Sequence, residues 1–583
     1  MTATYTGPAP GGGVGAAGTD GRTTEGSPQE PADLVGLLAV VGAGLLPIVL
    51  IDDLYWGTWA PKAALCLVLL LPGLVMLARL VVVGNRPARL AVAFLVAASL
   101  STALADKPAL SLVGAANWGT GLLFVATLAG AWALGLSAGA RRRRQLMMAI
   151  IAAVIVNGVV AWAQAQVGVG GRSRGLMGNP VYLGGLVAGG LFLLGWRFGR
   201  ERRSWWWLPA VAVAAGAAQL SGGRAAVALA VAATLASLRG AGRARGAALI
   251  VAVVVGVLFA PVGADGPVTL GSTRAAPASV VTRGDTRFAV WRISVAALGE
   301  RPLAGWGPGR FAAATTSRYD AVAAQEGVVL KDAHNWVVEY AVTTGLVGLA
   351  LLLAWLGAAA WGARGPLAGF ALVVAASSLV QPQHVALTPM AMLALGAAGA
   401  RRDLGDAGAG RDDSGLGWRW GTVAVVGLGI GLVAAGVLLV GQAYLQHGVQ
   451  DDSLRDMHRA SALSPPWPEV SLWASSVEAT YGLSEGEPHK RRTLELARQA
   501  VRRDPSDPAA WAELGALELE WGSNEGAATA FRHALLVNPW DASSLLGRVT
   551  LARRQGDGAA LAESCRRLRA LRRAPEECSA ARP

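Results

Sequence analysis

Residues 331–361 read KDAHNWVVEYAVTTGLVGLALLLAWLGAAAW. Four of the first five are polar, and from Trp336 onward the run is apolar for longer than the roughly 20 residues an α-helix needs to cross a bilayer. His334, the only histidine of a long polar loop, therefore stands where that loop meets a membrane-spanning helix. A side chain that exchanges protons near neutral pH, held at the edge of the lipid, is the leading functional candidate of the chain.

The same length criterion organises the rest. Of 583 residues 53% are hydrophobic and only 15% charged, with a positive mean hydropathy, so most of the chain is integral membrane protein. Apolar runs near 34–51, 63–83, 90–105, 118–139, 146–166, 181–197, 205–221, 224–238, 246–262, 336–361, 366–380, 385–400 and 420–441 predict about thirteen spans. The pair that meets at Ser221-Gly222-Gly223-Arg224 is tight enough for a hairpin or one bent element. The predicted fold is all-α: a polytopic membrane bundle followed by a soluble helical-repeat domain. Residues 1–32, rich in Gly, Pro, Thr and Ser without apolar period, read as a disordered tail. The first apolar run lacks a charged n-region and cleavage site, so it reads as a retained signal anchor. The membrane domain then covers 33–403 with a large outer loop at 263–335, and a linker at 404–419 leads to the last span at 420–441.

Charge orients the spans. Lys and Arg collect in cytoplasmic loops. With the N-terminus cytoplasmic, Arg86 and Arg89, Arg141 to Arg144, Arg197 to Arg203, Arg239 to Arg245, Arg364, and Arg401 with Arg402 all fall inside. The expectation is a multi-pass plasma-membrane protein. The net charge of +13 is explained by this topology; no basic patch interleaved with aromatics points to nucleic acid. Lys62, Arg172, Arg174, Arg224, Arg287 and Arg292 fall outside, against the trend. Singly they read as snorkelling to lipid headgroups. Gathered near His334 they read as an anion site, since arginine presents a fixed fork to phosphate oxygens.

Certain segments have family-like order. Gly178-Asn179-Pro180, Ser221-Gly222-Gly223-Arg224-Ala225, Arg287-Phe288-Ala289-Val290-Trp291, Pro302-Leu303-Ala304-Gly305-Trp306-Gly307-Pro308-Gly309-Arg310-Phe311 and His334-Asn335, then Gly345 and Gly348, follow one another as in the O-antigen ligase and polymerase superfamily. The chain resembles that superfamily over roughly residues 34–400, and Pro61-Lys62 at the opening of the second span looks like it too. The resemblance implies a membrane glycosyltransferase that moves a glycan from an undecaprenyl-diphosphate carrier to an acceptor glycan, lipid or protein, without nucleotide sugar, cofactor or metal. It implies that Arg224 and Arg287 hold the diphosphate and that His334 acts at the acceptor. Arg292, about one helical turn past Arg287, is a secondary candidate for the anion. Two departures stand out: Gly223-Arg224 where relatives often carry Ser-Arg, and Asn117-Trp118-Gly119 where a basic residue often precedes the glycine.

The chemistry agrees with the residue types. Charge developing on a leaving diphosphate is stabilised by preorganised arginines, and an imidazole is suited to take the acceptor's proton. Asp332 or Glu339 is expected to orient the ring. His334 as a mere helix cap or headgroup contact is the bland alternative. His384, in Gln381-Pro382-Gln383-His384, is a second possible base, with packing favoured for it. Gly305, Gly307 and Gly309 mimic a nucleotide-binding motif, but without a preceding strand they read as a tight turn. Ligase, polymerase and protein O-oligosaccharyltransferase remain open. A transporter requires polar or ionisable groups near the midplane of the spans, where few apart from Asn157 and Gln164 stand out, and a non-catalytic scaffold is the other alternative.

From 442 to the end the sequence is charged and helical. Ala500 to Pro505 recurs as Ala534 to Pro539 at a spacing of about 34 residues, the tetratricopeptide period. An extracytoplasmic repeat domain at 442–583 is expected, with a concave face for an acceptor or protein partner, or else a structural cap. Cys565 and Cys578 are free to pair if exported.

Overall fold

The computed structural model describes residues 31–116, 119–167, 172–201, 205–239, 241–260, 277–324, 329–399 and 414–578, without the side chains of 31–33, 277–287, 414–418, 484–485 and 577. The expected disordered tail lies outside these residues except for Pro31 and Ala32, which are helical. So do Asn117 and Trp118, the span junction near 261–276, and most of the linker at 404–419.

The fold is a helical membrane bundle, all-α among the described residues. Its first part comprises α1 (Pro31–Leu45), α2 (Ala60–Val82), α3 (Arg86–Ala103), α4 (Pro108–Val113), α5 (Leu122–Leu136), α6 (Ala140–Gln166), α7 (Pro180–Arg200), α8 (Leu208–Leu220), α9 (Arg224–Ser237) and α10 (Arg243–Phe259). Helix starts follow local chemistry. Asn85 and Asn179 each precede a proline within the first turn, and their side chains accept N–H groups of Ala88 and Val181. Small residues let the central helices touch: a Cβ on Gly73 would lie 2.6 Å from the backbone of Gly130, joining α2 to α5.

Next come α11 (Pro277–Glu300) and α12 (Phe311–Thr315), then α13 (Trp336–Gly362), α14 (Pro366–Ser377), α15 (Leu387–Gly399) and α16 (Ser414–Gln450). α16 packs along α2, α15 packs along α5, and α13 packs along α3. Five helices are long and apolar enough to cross a membrane: α2, α6, α7, α13 and the Arg419–Gln450 part of α16.

Three features of the helices refine the sequence reading. α8 and α9 are not a mutual hairpin: of 13 and 14 residues, each is shorter than a bilayer crossing, and α8 packs mainly on α10 while α9 packs on α7. The stretch read as an outer loop contains α11, of 24 residues. The last span does not stop near 441: its helix continues unbroken to Gln450, because the loss of apolar residues removes the lipid signal but not the helical one.

The C-terminal helices are α17 (Leu454–Leu463), α18 (Pro468–Glu485), α19 (Glu487–Arg503), α20 (Pro508–Trp521), α21 (Asn524–Val537), α22 (Ala542–Gln555) and α23 (Gly558–Ala570). α18 pairs with α19, α20 with α21, and α22 with α23. Ser523, Asp541 and Asp557 cap the later helices through their side chains. Cys565 and Cys578 form a disulfide. These helices do not hang free. Ala289, Val290, Ile293, Phe311 and Ala333 share one apolar core with Leu535, Leu545, Val549 and Leu568.

Candidate active site

The segment carrying His334 is fixed from several directions. The Leu330 N–H donates to the Tyr319 hydroxyl at 3.1 Å, and Trp291 Nε1–H of α11 donates to the Ala333 carbonyl at 2.8 Å. The Ala333 N–H donates to Glu339 Oε2 at 2.9 Å. Asn335 Oδ1 accepts the N–H groups of Val337 and Val338 at 2.9 and 3.3 Å, so Asn335 rather than His334 caps α13. The Trp336 N–H reaches the Ser378 carbonyl at 3.1 Å. Held on both sides, His334 takes a φ of 52°, a left-handed conformation uncommon for a non-glycine residue and worth about 1–2 kcal/mol of strain.

Asp332 matches that conformation. Its Oδ1 accepts the His334 N–H at 2.7 Å and lies 2.9 Å from His334 Nδ1, with the imidazole side chain 23% exposed and the carboxylate 5%. Of the two orienting carboxylates expected, Asp332 is therefore the one at the ring, while Glu339 holds the backbone beside it. Both are buried, and Asp332 Oδ2 and Glu339 Oε1 have no hydrogen-bond partner among the described residues. The charge of Asp332 also bears on Tyr182 at the start of α7.

His384 occupies the other side of Tyr182, the ring centroids 4.0 Å apart. Its Nδ1 accepts the N–H groups of Ala386 and Leu387 at 3.3 and 3.4 Å, at the opening of α15. Burial, and then the charge of Lys62, hold it well below the ordinary histidine range. It is a packed, neutral ring with one nitrogen engaged, as the packing reading expects.

The outer cations divide into distinct uses. Lys62 is buried and donates to the carbonyls of Val49, Thr58 and Leu176 at 2.7, 2.8 and 3.0 Å. Its position against the topological trend is explained by this internal clasp between two loops. Arg172 Nε donates to the Ser221 carbonyl at 2.7 Å and lies over Gly222, where an added Cβ would come 2.8 Å from that nitrogen. Next to it Arg224 opens α9 and is exposed, with no hydrogen bond or ion pair to any described neighbour. Gly223 provides no side-chain cap there, leaving the first-turn N–H groups to an anion. Arg292 is exposed and forms an ion pair with Asp320. The Arg287 side chain lies outside the described residues, though its backbone is on α11. No hydrogen bond or ion pair joins Arg224 to His334 among the described residues. On α7, Gly184 abuts Ala226 of α9, and Tyr182, one half-turn earlier, faces His384.

The glycine-rich turn serves the scaffold. At Gly305, φ is 70° and a Cβ would lie 2.5 Å from the Gly345 nitrogen, so only glycine permits this approach. The Trp306 and Gly307 N–H groups donate to the Val342 and Thr343 carbonyls at 3.0 and 2.8 Å, where α13 is broken at Gly345. The tight turn is as expected; what it approaches is α13.

Arg310, at the end of that turn, is the residue sequence reasoning missed. Nη1 and Nη2 meet Asp504 Oδ2 and Oδ1 at 2.7 and 3.0 Å, Nη2 also donates to Ser506 Oγ at 2.9 Å, and the side chains are 6% and 13% exposed. Burial pushes the Asp504 carboxyl up, but the Arg310 hydrogen bonds and charge outweigh it and hold it below the usual range. Lys331 Nζ lies 2.8 Å from Glu469 Oε1. Trp467 Nε1–H donates to the Gly114 carbonyl at 2.9 Å. A buried bidentate pair broken on one side is worth about 3–5 kcal/mol, whereas a pair as exposed as Lys331–Glu469 is worth about 0.2–1 kcal/mol. The apolar core and Arg310 hold the C-terminal helices down; Lys331 does not.

Residues 209–353 match the sequence profile of the O-antigen ligase family. That range runs from α8 into α13 and contains Arg224, Arg287, Arg292, Arg310 and His334. No curated protein matches the chain.

Proposed function

We propose, from that likeness and the geometry of the His334 loop, that the protein is a membrane glycosyltransferase. It moves a glycan from an undecaprenyl-diphosphate carrier to an acceptor at the outer face of the plasma membrane, as an O-antigen ligase does. The observation that carries the reading is the strained, quarter-exposed His334 with Asp332 at its Nδ1. A carboxylate at Nδ1 favours a proton there and leaves Nε2 as the base. Nε2 takes the acceptor hydroxyl proton as its oxygen bonds to the anomeric carbon, and the bond from that carbon to the diphosphate oxygen breaks. The departing electron pair stays on undecaprenyl diphosphate, whose charge Arg224, Arg287 and the uncapped N-terminus of α9 stabilise. Arg292 already has a carboxylate partner, so it is secondary to those two.

The disulfide supports an extracytoplasmic place for the C-terminal helices, since such bonds persist in oxidising compartments. Their shared core with α11 and Ala333 supports reading the His334 loop on that same side. We read the helix pairs as tetratricopeptide-like: Pro508 and Ala542 open equivalent helices about 34 residues apart. A groove of about 1120 Å3 among them, bordered by Glu513, Glu520, Asp541, Arg553 and Arg554, is where an acceptor or protein partner is expected.

The test is the surface-glycan and carrier-lipid profile of a deletion strain complemented with wild type or His334→Ala. Finished chains accumulating on the carrier mean a ligase. Single repeat units in place of long chains mean a polymerase. Unglycosylated envelope protein means an oligosaccharyltransferase, and an unchanged profile overturns the reading.

A further inference from the structure

The His334 loop is held between the C-terminal helices and the membrane bundle. Lys331 reaches Glu469 at the start of α18, and Ala333 is buried in the core shared with the C-terminal helices. Asp332, between them, is buried, and its Oδ1 meets His334. Lys331 directly precedes the carboxylate that meets the imidazole, so a shift of Lys331 along the C-terminal surface moves the peptide that carries Asp332.

Glu469 is itself held. What holds it is the backbone that carries it: its Oε2 is buried without a hydrogen-bond partner among the described residues, and Asp507 on the turn between α19 and α20 faces it as a like charge. Arg310 ties that turn to the glycine-rich loop, and Arg503 donates to the Trp467 carbonyl two residues before Glu469 at 3.2 Å. Trp467 is anchored in turn on Gly114. The carboxylate that grips Lys331 is thus fixed to the membrane bundle by routes that do not pass through Lys331. The pair is too exposed to matter much for docking, so its consequence is local.

We infer that the C-terminal helices clamp the catalytic loop through Lys331–Glu469, with Glu469 a positioning residue for the Asp332–His334 pair. The inference rests on the reading of His334 as the base. It gives the appended helices a part in the transfer step itself, beyond recruiting an acceptor: without the clamp the loop is free to carry Asp332 and His334 off line, and a misplacement of about 1 Å lowers a reaction rate roughly 100-fold.

The test uses the full chain in lipid nanodiscs and in the complemented deletion strain at matched membrane levels. Two variants are compared with wild type: Glu469→Gln, and the charge-exchanged pair K331E/E469K. In Glu469→Gln, hydrogen exchange of the Ala333 and His334 amides is expected to rise about two- to fivefold while that of Asp504 stays as in wild type, and transferred glycan to fall by a similar factor. The exchanged pair is expected to restore both. Exchange at Ala333 and His334 unchanged by Glu469→Gln overturns the clamp, as does failure of K331E/E469K to restore it. Faster exchange with undiminished glycan output overturns the positioning role. A deletion strain without any glycan defect sinks the glycosyltransferase reading instead, and the exchange data still decide the clamp.

Discussion

Replacing Arg310 by Gln is expected to loosen the C-terminal helices from the outer loop. The change removes two bonds to Asp504 and one to Ser506 and leaves a carboxylate only 13% exposed without its counter-charge. Breaking one side of a buried pair is worth about 3–5 kcal/mol. Here the lower end applies, because the Ser506 hydroxyl and N–H still donate to Asp504 Oδ1 at 2.6 and 3.1 Å. A loss of about 3 kcal/mol is about two factors of ten in the population of the opened interface. Native-state hydrogen exchange reads this directly at Asp504, whose N–H is bonded to the Ala500 carbonyl at 3.0 Å, with protection expected to fall about 100-fold. The double variant R310M/D504N is expected to recover most of it, since exchanging a buried pair for groups without charge is often close to neutral. Asp504 is held below the usual carboxylate range. The pair's contribution is therefore complete at neutral pH and disappears as pH falls through the folded-state value. Wild-type protection of Asp504 in the R310Q protein, or a double variant no better than the single, refutes this account.

His334→Ala is expected to lower glycan transfer about 100- to 10,000-fold, while His384→Gln keeps most of the activity, as measured by carrier-linked against surface glycan. Burial, then the charges of Glu469 and Asp504, push Asp507 up to about 7, against weaker pulls from the Ala509 N–H and Lys331. The folded state thus binds that proton more tightly than the unfolded chain, so stability falls as pH rises from about 4 toward 7. Asp507→Asn is expected to flatten thermal stability across this window, and an unaltered pH profile argues against the assignment. Cys565→Ser opens a bridge between residues 13 apart, worth about 3 kcal/mol in the chain-entropy account. After mild reduction of intact cells, Cys578 is expected to react with a membrane-impermeant maleimide; labelling only in lysed cells places these helices inside.

The membrane spans were legible because lipid burial is a property of a run of side chains: α2, α6, α7 and α13 lie within a few residues of their apolar stretches. His334 and its Asp332 partner were legible because they are two positions apart and close at hand to a helix start. Lys62 and Arg292 carried the right charge for an anion site, yet one is clasped by three carbonyls and the other by Asp320. Charge is written in the sequence, and its satisfaction is not. α11 was read as loop because its buried stripe is too short for lipid and faces a partner encoded far downstream.

The residue order thus determined by itself that long apolar helices such as α2, α6, α7 and α13 form, that a polar segment carrying His334 precedes α13, and that the C-terminal part is helical, since each follows from local composition and short-range hydrogen bonding. Only the tertiary structure decided that this C-terminal part shares a core with the outer segment and grips it through Arg310–Asp504, across 194 positions of chain. A contact between residues so distant in sequence leaves no local period or spacing; it exists because burying Ala333, Val290, Leu545 and Leu568 together removes apolar surface from water at about 25 cal/mol per Å2, and that gain is set by shape rather than by order.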